Sequence, residues 1–170
     1  QINDHIGGSV LDLYAVGKLS GLTEVLFIER CIRLLKPGGR LGIVLPEGVL
    51  NNTNLQTVRE LFEGMAKIIL ITSIPQDVFM ASGATVKPSL LFFKKFTAEE
   101  RAQFDAIKQA ATEEVEAKYQ SQLDEIDSFL AERGNPAEEK KVKRAERRAL
   151  ETKIAAEIWA IVKEKFDYTI

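Results

Sequence analysis

The side chains that most often carry enzyme chemistry are scarce in this 170-residue sequence. It contains one cysteine, Cys31, and one histidine, His5. A single cysteine excludes an internal disulfide, and one cysteine with one histidine does not supply the usual ligands of a zinc site. A nucleophilic Cys–His pair would have to join these two residues, and nothing in their spacing supports it. We therefore expect no metal site and no nucleophilic pair.

Basic side chains are concentrated at one place in the second half of the chain. A short segment contains six lysines and arginines: Lys140, Lys141, Lys143, Arg144, Arg147 and Arg148. Such a cluster can contact a DNA backbone or a partner, and its affinity would then depend on salt. The alternative is a solvated helix face that is balanced by four nearby glutamates: Glu138, Glu139, Glu146 and Glu151. The sequence leaves both interpretations open.

The composition changes along the chain. The net charge of the whole sequence is −2, so no global basic field attracts it to nucleic acid. Residues 1–96 carry a net charge of +2 and ten of the 11 glycines, whereas residues 97–170 carry a net charge of −4. This shift predicts two domains, 1–96 and 97–170, with a boundary near Phe96.

The overall composition is that of a soluble globular protein. It is 45% hydrophobic and 28% charged, and no apolar run approaches the roughly 18 residues that a membrane span needs. The start has no secretory pattern. We expect a cytoplasmic protein without membrane contact. The sequence begins with Gln1 rather than methionine, and we expect it to be a segment of a longer protein.

A helix and a strand form the centre of the first domain. Apolar residues recur at three- and four-residue steps over 24–35 and predict a helix, which Lys36-Pro37-Gly38-Gly39 ends. Residues 41–45 then form a short apolar run, the pattern of a strand that is covered on both faces. Pro46 and Glu47 follow this strand, at the end where ligands bind in open α/β sheets.

Two further strands are predicted at 67–74 and 86–96. Their connection is too short to contain the crossover helix that a parallel pair requires, so we expect the two strands to pair antiparallel. Residues 75–85 form the loop between them. Pro88 near the start of the last strand is tolerated at a first residue or at an edge.

The second domain has helical periodicity almost throughout. The first apolar stripe comprises Phe104, Ile107, Ala111, Val115, Tyr119, Leu123, Ile126 and Leu130. After a turn at Gly134-Asn135-Pro136, a second stripe comprises Val142, Ala149, Ile154, Ile158 and Ile161. The two stripes predict a long helical hairpin whose helices pack on each other.

Two segments of the first domain carry a family resemblance. The segments LKPGGRLGIVLPEGVL and SIPQDVFMASGATVKPSLLFFKK resemble, in sequence and spacing, the modification subunit of type I restriction-modification systems. That subunit belongs to the adenine-N6 DNA methyltransferases. The resemblance covers about residues 22–96. It implies the C-terminal part of a Rossmann-like sheet that is parallel except for an antiparallel last strand pair, followed by the helical hairpin.

The resemblance also implies roles for individual residues. In the family an aromatic residue of the loop before the last strand contacts the flipped adenine, and Phe79 matches it; the alternative is a loop anchor packed on the core. Gly83 would let the backbone approach DNA, and Thr85 and Lys87 would contact DNA, although Lys87 could equally be a solvated surface residue. Pro46 and Glu47 would border the strand-end pocket.

The chain departs from the family pattern in its catalytic parts. The Asn-Pro-Pro-aromatic motif and the glycine-rich S-adenosylmethionine loop are both absent from it. We therefore expect S-adenosylmethionine to serve the parent enzyme but not to bind here, and this chain alone not to methylate DNA. The implied partners are DNA, a specificity subunit and a restriction subunit. Two rivals remain: a methyltransferase that acts on RNA or a small molecule, and a non-catalytic helical interaction module.

Overall fold

A computed structural model of the chain describes residues 9–83, 85–132 and 134–170. His5, the only possible partner for Cys31 in a nucleophilic pair, lies outside the described residues. The chain divides into two compact units. The first, the sheet unit, comprises the chain up to Arg101 together with Tyr168–Ile170, and the second, the hairpin unit, comprises Ala102–Asp167. Each unit has its own hydrophobic core.

The sheet unit contains three strands: β1 (Arg40–Pro46), β2 (Ala66–Ser73) and β3 (Pro88–Lys95). Their spatial order is β1-β3-β2, and β3 is antiparallel to both neighbours. The antiparallel pairing that the short connection predicted for β2 and β3 is confirmed. The predicted parallel part of the sheet is absent from the described residues, because β3 lies between β1 and β2 and keeps these two co-directional strands from hydrogen-bonding.

Three short helices pack on one face of this sheet: α1 (Thr23–Leu34), α2 (Glu47–Asn51) and α3 (Gln56–Glu63). The predicted helix before the glycine turn is thus confirmed, and Gly38 adopts the left-handed conformation there, with φ 74°. Turns of 3-10 helix lie at Val10–Leu13, Val16–Lys18, Thr53–Leu55 and Gln76–Ser82. The shared core consists of Ile28, Ile32, Leu45, Val49, Ala66, Leu91 and Phe93.

The opposite face of the sheet is open, which corrects the prediction for β1. A strand covered on both faces was expected, but Val44 is 50% exposed, and the side chains of Ile69 and Leu70 in β2, beside Gly42 and Phe92, are also exposed. The helices cover only the face that carries Leu45. On the open face the Phe92 ring lies across Gly42, where a Cβ would come within 2.6 Å of the ring.

A buried carboxylate ties the N-terminal turns to α1. Glu29 is fully buried, and its two oxygens accept hydrogen bonds from the backbone N–H groups of Ala15 at 3.0 Å and Val16 at 2.8 Å. Arg33, one helical turn later, forms an ion pair with the same carboxylate. The charge is therefore both paired and hydrogen-bonded, as a buried charge must be to be tolerated.

A second charged cluster joins the sheet to the start of the long helix that follows. The Glu100 carboxylate lies 3.0 Å from the Lys67 ammonium and 3.2 Å from that of Lys94. Burial alone would raise the pKa of Glu100, but hydrogen bonds from the Thr97 N–H, Lys67 and Lys94 outweigh burial and lower the pKa to about 2. Lys67 also donates to the Thr169 carbonyl at 2.7 Å, so the cluster holds the C-terminal residues against β2.

The two long helices are α4 (Ala98–Ala131) and α5 (Ala137–Lys165). Thr97 caps α4: its hydroxyl accepts the Glu100 N–H at 3.1 Å, and the Glu100 carboxylate accepts the Thr97 N–H at 2.8 Å. None of the helices in the described residues has the length and apolar character that a membrane span requires.

The hairpin unit is confirmed as two helices that share an apolar core. Its buried centre is formed by Val115, Tyr119 and Ile154, against which Leu123, Leu150, Ile158 and Ile161 pack. The predicted stripe of α5 is wrong at its N-terminal end, since Val142 is 58% exposed and Ala149 is exposed. The inward positions there belong to Leu150 and to the partly buried stems of Lys143 and Arg147, because long basic side chains can bury their methylene groups while their charges stay in water.

Candidate functional site

The carboxyl end of β1 lies beside the entry to β3. Pro46 faces Pro88 in the strand ladder, and two prolines without N–H groups end the hydrogen-bonded pairing there. The Glu47 N–H donates to the Lys87 carbonyl at 2.9 Å, and the Lys87 ammonium lies 3.2 Å from the Glu47 carboxylate. Backbone and side-chain contacts thus fix the end of β1 to the residues that precede β3.

The segment before β3 is an ordered loop rather than an open one. The 3-10 helix at Gln76–Ser82 ends at Gly83, which has φ 80° and donates its N–H to the Met80 carbonyl at 3.0 Å. This left-handed conformation favours glycine. The Gln76 side-chain amide donates to the Thr85 carbonyl at 2.8 Å and so closes the loop across its base.

Apolar side chains cover the outer surface of this loop. Phe79 is 38% exposed, and Val78, Met80 and Val86 are more exposed still. A partly exposed aromatic ring held by a 3-10 helix can stack on a planar ligand, since it loses little conformational freedom on binding. Thr85 is exposed and can donate or accept a hydrogen bond, whereas the charge of Lys87 is partly balanced by Glu47.

The structure therefore brings the predicted site residues into two neighbouring groups. Pro46, Glu47 and Lys87 meet directly, and the loop carries Phe79, Gly83 and Thr85. The roles inferred for these residues from the resemblance stay predictions. The contact of Gln76 was not predicted, because a single glutamine after a proline has no pattern that reveals its distant hydrogen-bond partner. The 3-10 helix was not predicted either, since apolar Val78, Phe79 and Met80 show no helical period.

The predicted basic cluster of the hairpin unit divides into two faces. Arg147 hydrogen-bonds Asp127 through two nitrogens, at 2.7 and 3.3 Å, and also pairs with Glu151. Lys143 lies 2.8 Å from Glu146, and Lys140 donates to a backbone carbonyl at the end of α4. The hydrogen bond to Asp127 raises the pKa of Arg147, and that to Glu146 raises the pKa of Lys143. These residues stabilise the hairpin unit itself.

The other three residues of the basic cluster are exposed to solvent. None of Lys141, Arg144 and Arg148 forms an ion pair with any residue in the described part of the chain. The sequence left open whether acidic residues neutralise the basic cluster or whether it contacts DNA or a partner. Acidic side chains of the described residues pair with Lys143 and Arg147, but not with Lys141, Arg144 and Arg148.

An apolar cavity of about 240 Å³ lies inside the sheet unit, between its helices and β2. Among the described residues that line it, Arg59 and Glu63 are charged, and the others are aliphatic or aromatic. Within the same described residues, no group of histidine, cysteine, aspartate and glutamate side chains could hold a metal ion.

Comparison with known proteins assigns the family. No curated protein matches the chain at a significant level of similarity. The family model described as N-6 DNA Methylase matches residues 18–157, which is well over half of the 170-residue sequence. The match covers the glycine turn, the loop with Phe79, all of α4 and the larger part of α5, so most of the hairpin lies within the family region. The expectation of an adenine-N6 DNA methyltransferase is confirmed: the chain belongs to the N-6 DNA methylase family.

Proposed function

We propose that this chain contributes DNA contacts and subunit docking to an S-adenosylmethionine-dependent adenine-N6 DNA methyltransferase of a type I restriction-modification system. The family match over residues 18–157 is the observation that carries the DNA-directed function. The resemblance of the loop at Phe79 to the type I modification subunit supports the narrower assignment. Residues 75–87 then form the part that faces the target base.

Phe79 is the residue proposed to contact the target adenine. An enzyme that modifies a base must extrude it from the duplex, which costs a few kcal/mol. Stacking on an aromatic ring recovers about 1–3 kcal/mol per base. The 3-10 helix at Gln76–Ser82 holds Phe79 in place before DNA arrives, and its 38% exposure leaves ring surface for the base.

The neighbouring residues would hold the DNA backbone. A Cβ at Gly83 would meet nothing within 4 Å, so the loop backbone there is accessible to a phosphate. Thr85 can donate its hydroxyl, and Lys87 can pair with a phosphate while Glu47 keeps the ammonium oriented. Glu47 also reduces the net positive charge of the site. The site is therefore better suited to positioning DNA than to binding it tightly without sequence specificity.

S-adenosylmethionine supplies the methyl group in this family, but the residues of this chain do not fit it. Ligand pockets usually have volumes of about 300–1,000 Å³ and a few convergent polar groups. The cavity of about 240 Å³ is smaller and almost entirely apolar. Within the described residues, no glycine-rich turn leads from a strand to a helix. We therefore assign no step of methyl transfer to these residues.

The topology supports a Rossmann-like parent sheet. β1 and β2 run in the same direction, and β3 inserts between them in the opposite direction. This is the arrangement expected when an antiparallel strand is added near the edge of a parallel sheet. The open apolar face of β1 and β2 is compatible with such a sheet, whose strands are covered on both faces.

The helical hairpin is proposed to dock the chain to a specificity subunit, and through it to the restriction subunit. The hairpin unit has a core of its own around Val115 and Tyr119, so its outer faces do not have to be buried for it to fold. Helical spacers of a specificity subunit could pack along those faces as in other helix bundles.

The proposed role of Phe79 is tested in the complete enzyme by Phe79→Ala, with Met80→Ala as the matched control on the same loop. Loss of one stacking contact of about 1–3 kcal/mol predicts a fall in adenine methylation of roughly 5- to 150-fold with unchanged cofactor affinity. Met80→Ala should leave the rate within about twofold. Equal rates for the two variants would refute a base-contacting Phe79.

A second experiment uses the 170-residue chain alone. Because it lacks the Asn-Pro-Pro-aromatic motif and a fitting cofactor site, we expect no N6-methyladenine in duplex DNA after incubation with S-adenosylmethionine. Mass spectrometry of the digested DNA measures the product. Methylation above that of a chain-free control would show that the described residues contain a catalytic site we have not assigned.

A further inference from the structure

The exposed basic face of α5 consists of Lys141, Arg144 and Arg148. These residues are three and seven positions apart, so they lie on one side of the helix. At 1.5 Å per residue they extend over about 10 Å of the helix axis. All three are exposed, and no described carboxylate pairs with them. The face is therefore an uncompensated stripe of three positive charges.

The clustering of positive charge around Arg144 destabilises α5. All four residues that lie three or four positions from Arg144 are basic: Lys140, Lys141, Arg147 and Arg148. Like charges at these spacings destabilise a helix. Composition does not require the arrangement, since residues 97–170 carry a net charge of −4. Glu138 and Glu139 lie in the first turn of α5, where they balance the positive end of the helix.

We infer that Lys141, Arg144 and Arg148 bind the phosphate backbone of duplex DNA, while Lys140, Lys143 and Arg147 keep the hairpin together. This inference rests on the proposed DNA-directed function and adds a second contact site to it. The partner is identified by its chemistry. A strand of DNA carries one phosphate per 3.4 Å of helix axis, so a basic stripe of about 10 Å can engage two or three phosphates. Arginine also pairs with phosphate through two N–H groups.

The test measures nonspecific binding of the full 170-residue chain to a labelled duplex of about 30 base pairs by fluorescence anisotropy, without a methyl donor. Three phosphate contacts predict that affinity falls by about 40-fold between about 50 and about 200 mM salt through these contacts alone. In the triple variant Lys141→Gln, Arg144→Gln, Arg148→Gln, the slope of log K against log salt should decrease by about 3.

A matched variant controls for net charge. The control is the triple variant Lys18→Gln, Lys36→Gln, Lys108→Gln. It also removes three positive charges from exposed side chains that form no ion pair within the described residues. Its salt slope should change by less than about 1. Since the α5 variant removes like-charge neighbours, its Tm should be unchanged or higher, so a loss of DNA binding is not a loss of folding.

The inference is overturned if both triple variants lose the same slope, or if the wild-type chain shows no salt-dependent binding. It is also overturned if the α5 variant keeps its DNA affinity and instead fails to assemble with a specificity subunit, because the stripe would then contact protein. Failure of the proposed function is a separate result. Nonspecific duplex affinity does not depend on Phe79, so methylation and backbone binding can fail independently.

Discussion

The sheet unit and the hairpin unit differ in which side chains they bury and which they expose. The sheet unit buries charged groups, Glu29 and Lys67, and leaves apolar side chains such as Val44 half exposed on its open face. The hairpin unit buries an apolar stripe around Val115 and keeps its ion pairs at the surface. Local sequence periodicity organises the hairpin unit, whereas contacts between distant residues organise the sheet unit.

The difference predicts where single substitutions are most damaging. In the sheet unit, Glu29→Ala removes the acceptor of the buried Val16 N–H and the ion pair with Arg33. Removal of one partner of a buried charged cluster typically costs about 3–5 kcal/mol. Urea unfolding measures this free energy. The control is Glu24→Ala in the first turn of the same helix, which should cost under about 1 kcal/mol. Equal costs for the two variants would contradict a structural role for the buried carboxylate.

In the hairpin unit, the largest effect should come from an apolar core position. Ile154 is 8% exposed, and Ile154→Ala should lower the free energy of unfolding by about 2–4 kcal/mol because it leaves a cavity. Val142→Ala tests the corrected position of the α5 stripe, since Val142 is exposed and its replacement should change stability by under about 0.5 kcal/mol. If Val142→Ala lowered the free energy of unfolding more than Ile154→Ala, Val142 would belong to the buried stripe as the sequence predicted.

The pH dependence of stability tests the charged cluster of the sheet unit. The folded-state pKa of Glu100 is depressed to about 2 from an ordinary value near 4.5. A depressed pKa contributes stability that is present above pH 4.5 and is lost as pH falls toward 2. Hydrogen exchange at β2, followed from pH 5 to pH 2.5, measures this loss.

Two glutamine variants make the pH experiment specific. Glu100→Gln removes the titrating group and should flatten the acid dependence of β2 protection. It should also lower protection near neutral pH, because Lys67 and Lys94 lose their ion pairs with Glu100. Glu99→Gln, one residue earlier at the exposed start of α4, should leave the acid dependence almost intact. If Glu99→Gln flattened it instead, the account of the Glu100 cluster would be wrong.

The smallest predicted effect concerns the loop that carries Phe79. Gly83→Ala places a side chain on a residue with φ 80°, which costs about 1–2 kcal/mol of local strain although no atom lies within 4 Å of the new Cβ. Gly48→Ala has equally open surroundings without a positive φ and should be neutral or slightly stabilising. Proteolysis of the loop in both variants compares the two.

The units also differ in what the sequence could predict. The helices of the hairpin follow from periodicity, because apolar side chains three and four positions apart lie on one helix face. The start of the α5 stripe was misplaced because Lys143 and Arg147 bury their stems, which a hydrophobic pattern does not register.

In the sheet unit, the strands and the antiparallel pairing of β2 with β3 were predictable, but the position of β3 between β1 and β2, the burial and the charged clusters were not. Lys67 donates to the carbonyl of Thr169, 102 residues further along the chain, and Glu29 accepts from backbone groups 13 and 14 residues away. No local pattern contains such partners. At the candidate site, the resemblance selected Phe79, Gly83 and Lys87, whereas the contacts of Gln76 and Glu47 required the folded structure.

The most direct test of the proposed function asks which part of the chain touches the target base. A duplex with a photoreactive adenine analogue at the target position is crosslinked to the complete enzyme, and the modified peptide is identified by mass spectrometry. The account predicts a crosslink within residues 75–87, centred on Phe79 and lost in Phe79→Ala. A crosslink confined to α5 or to any other part of this chain would contradict it.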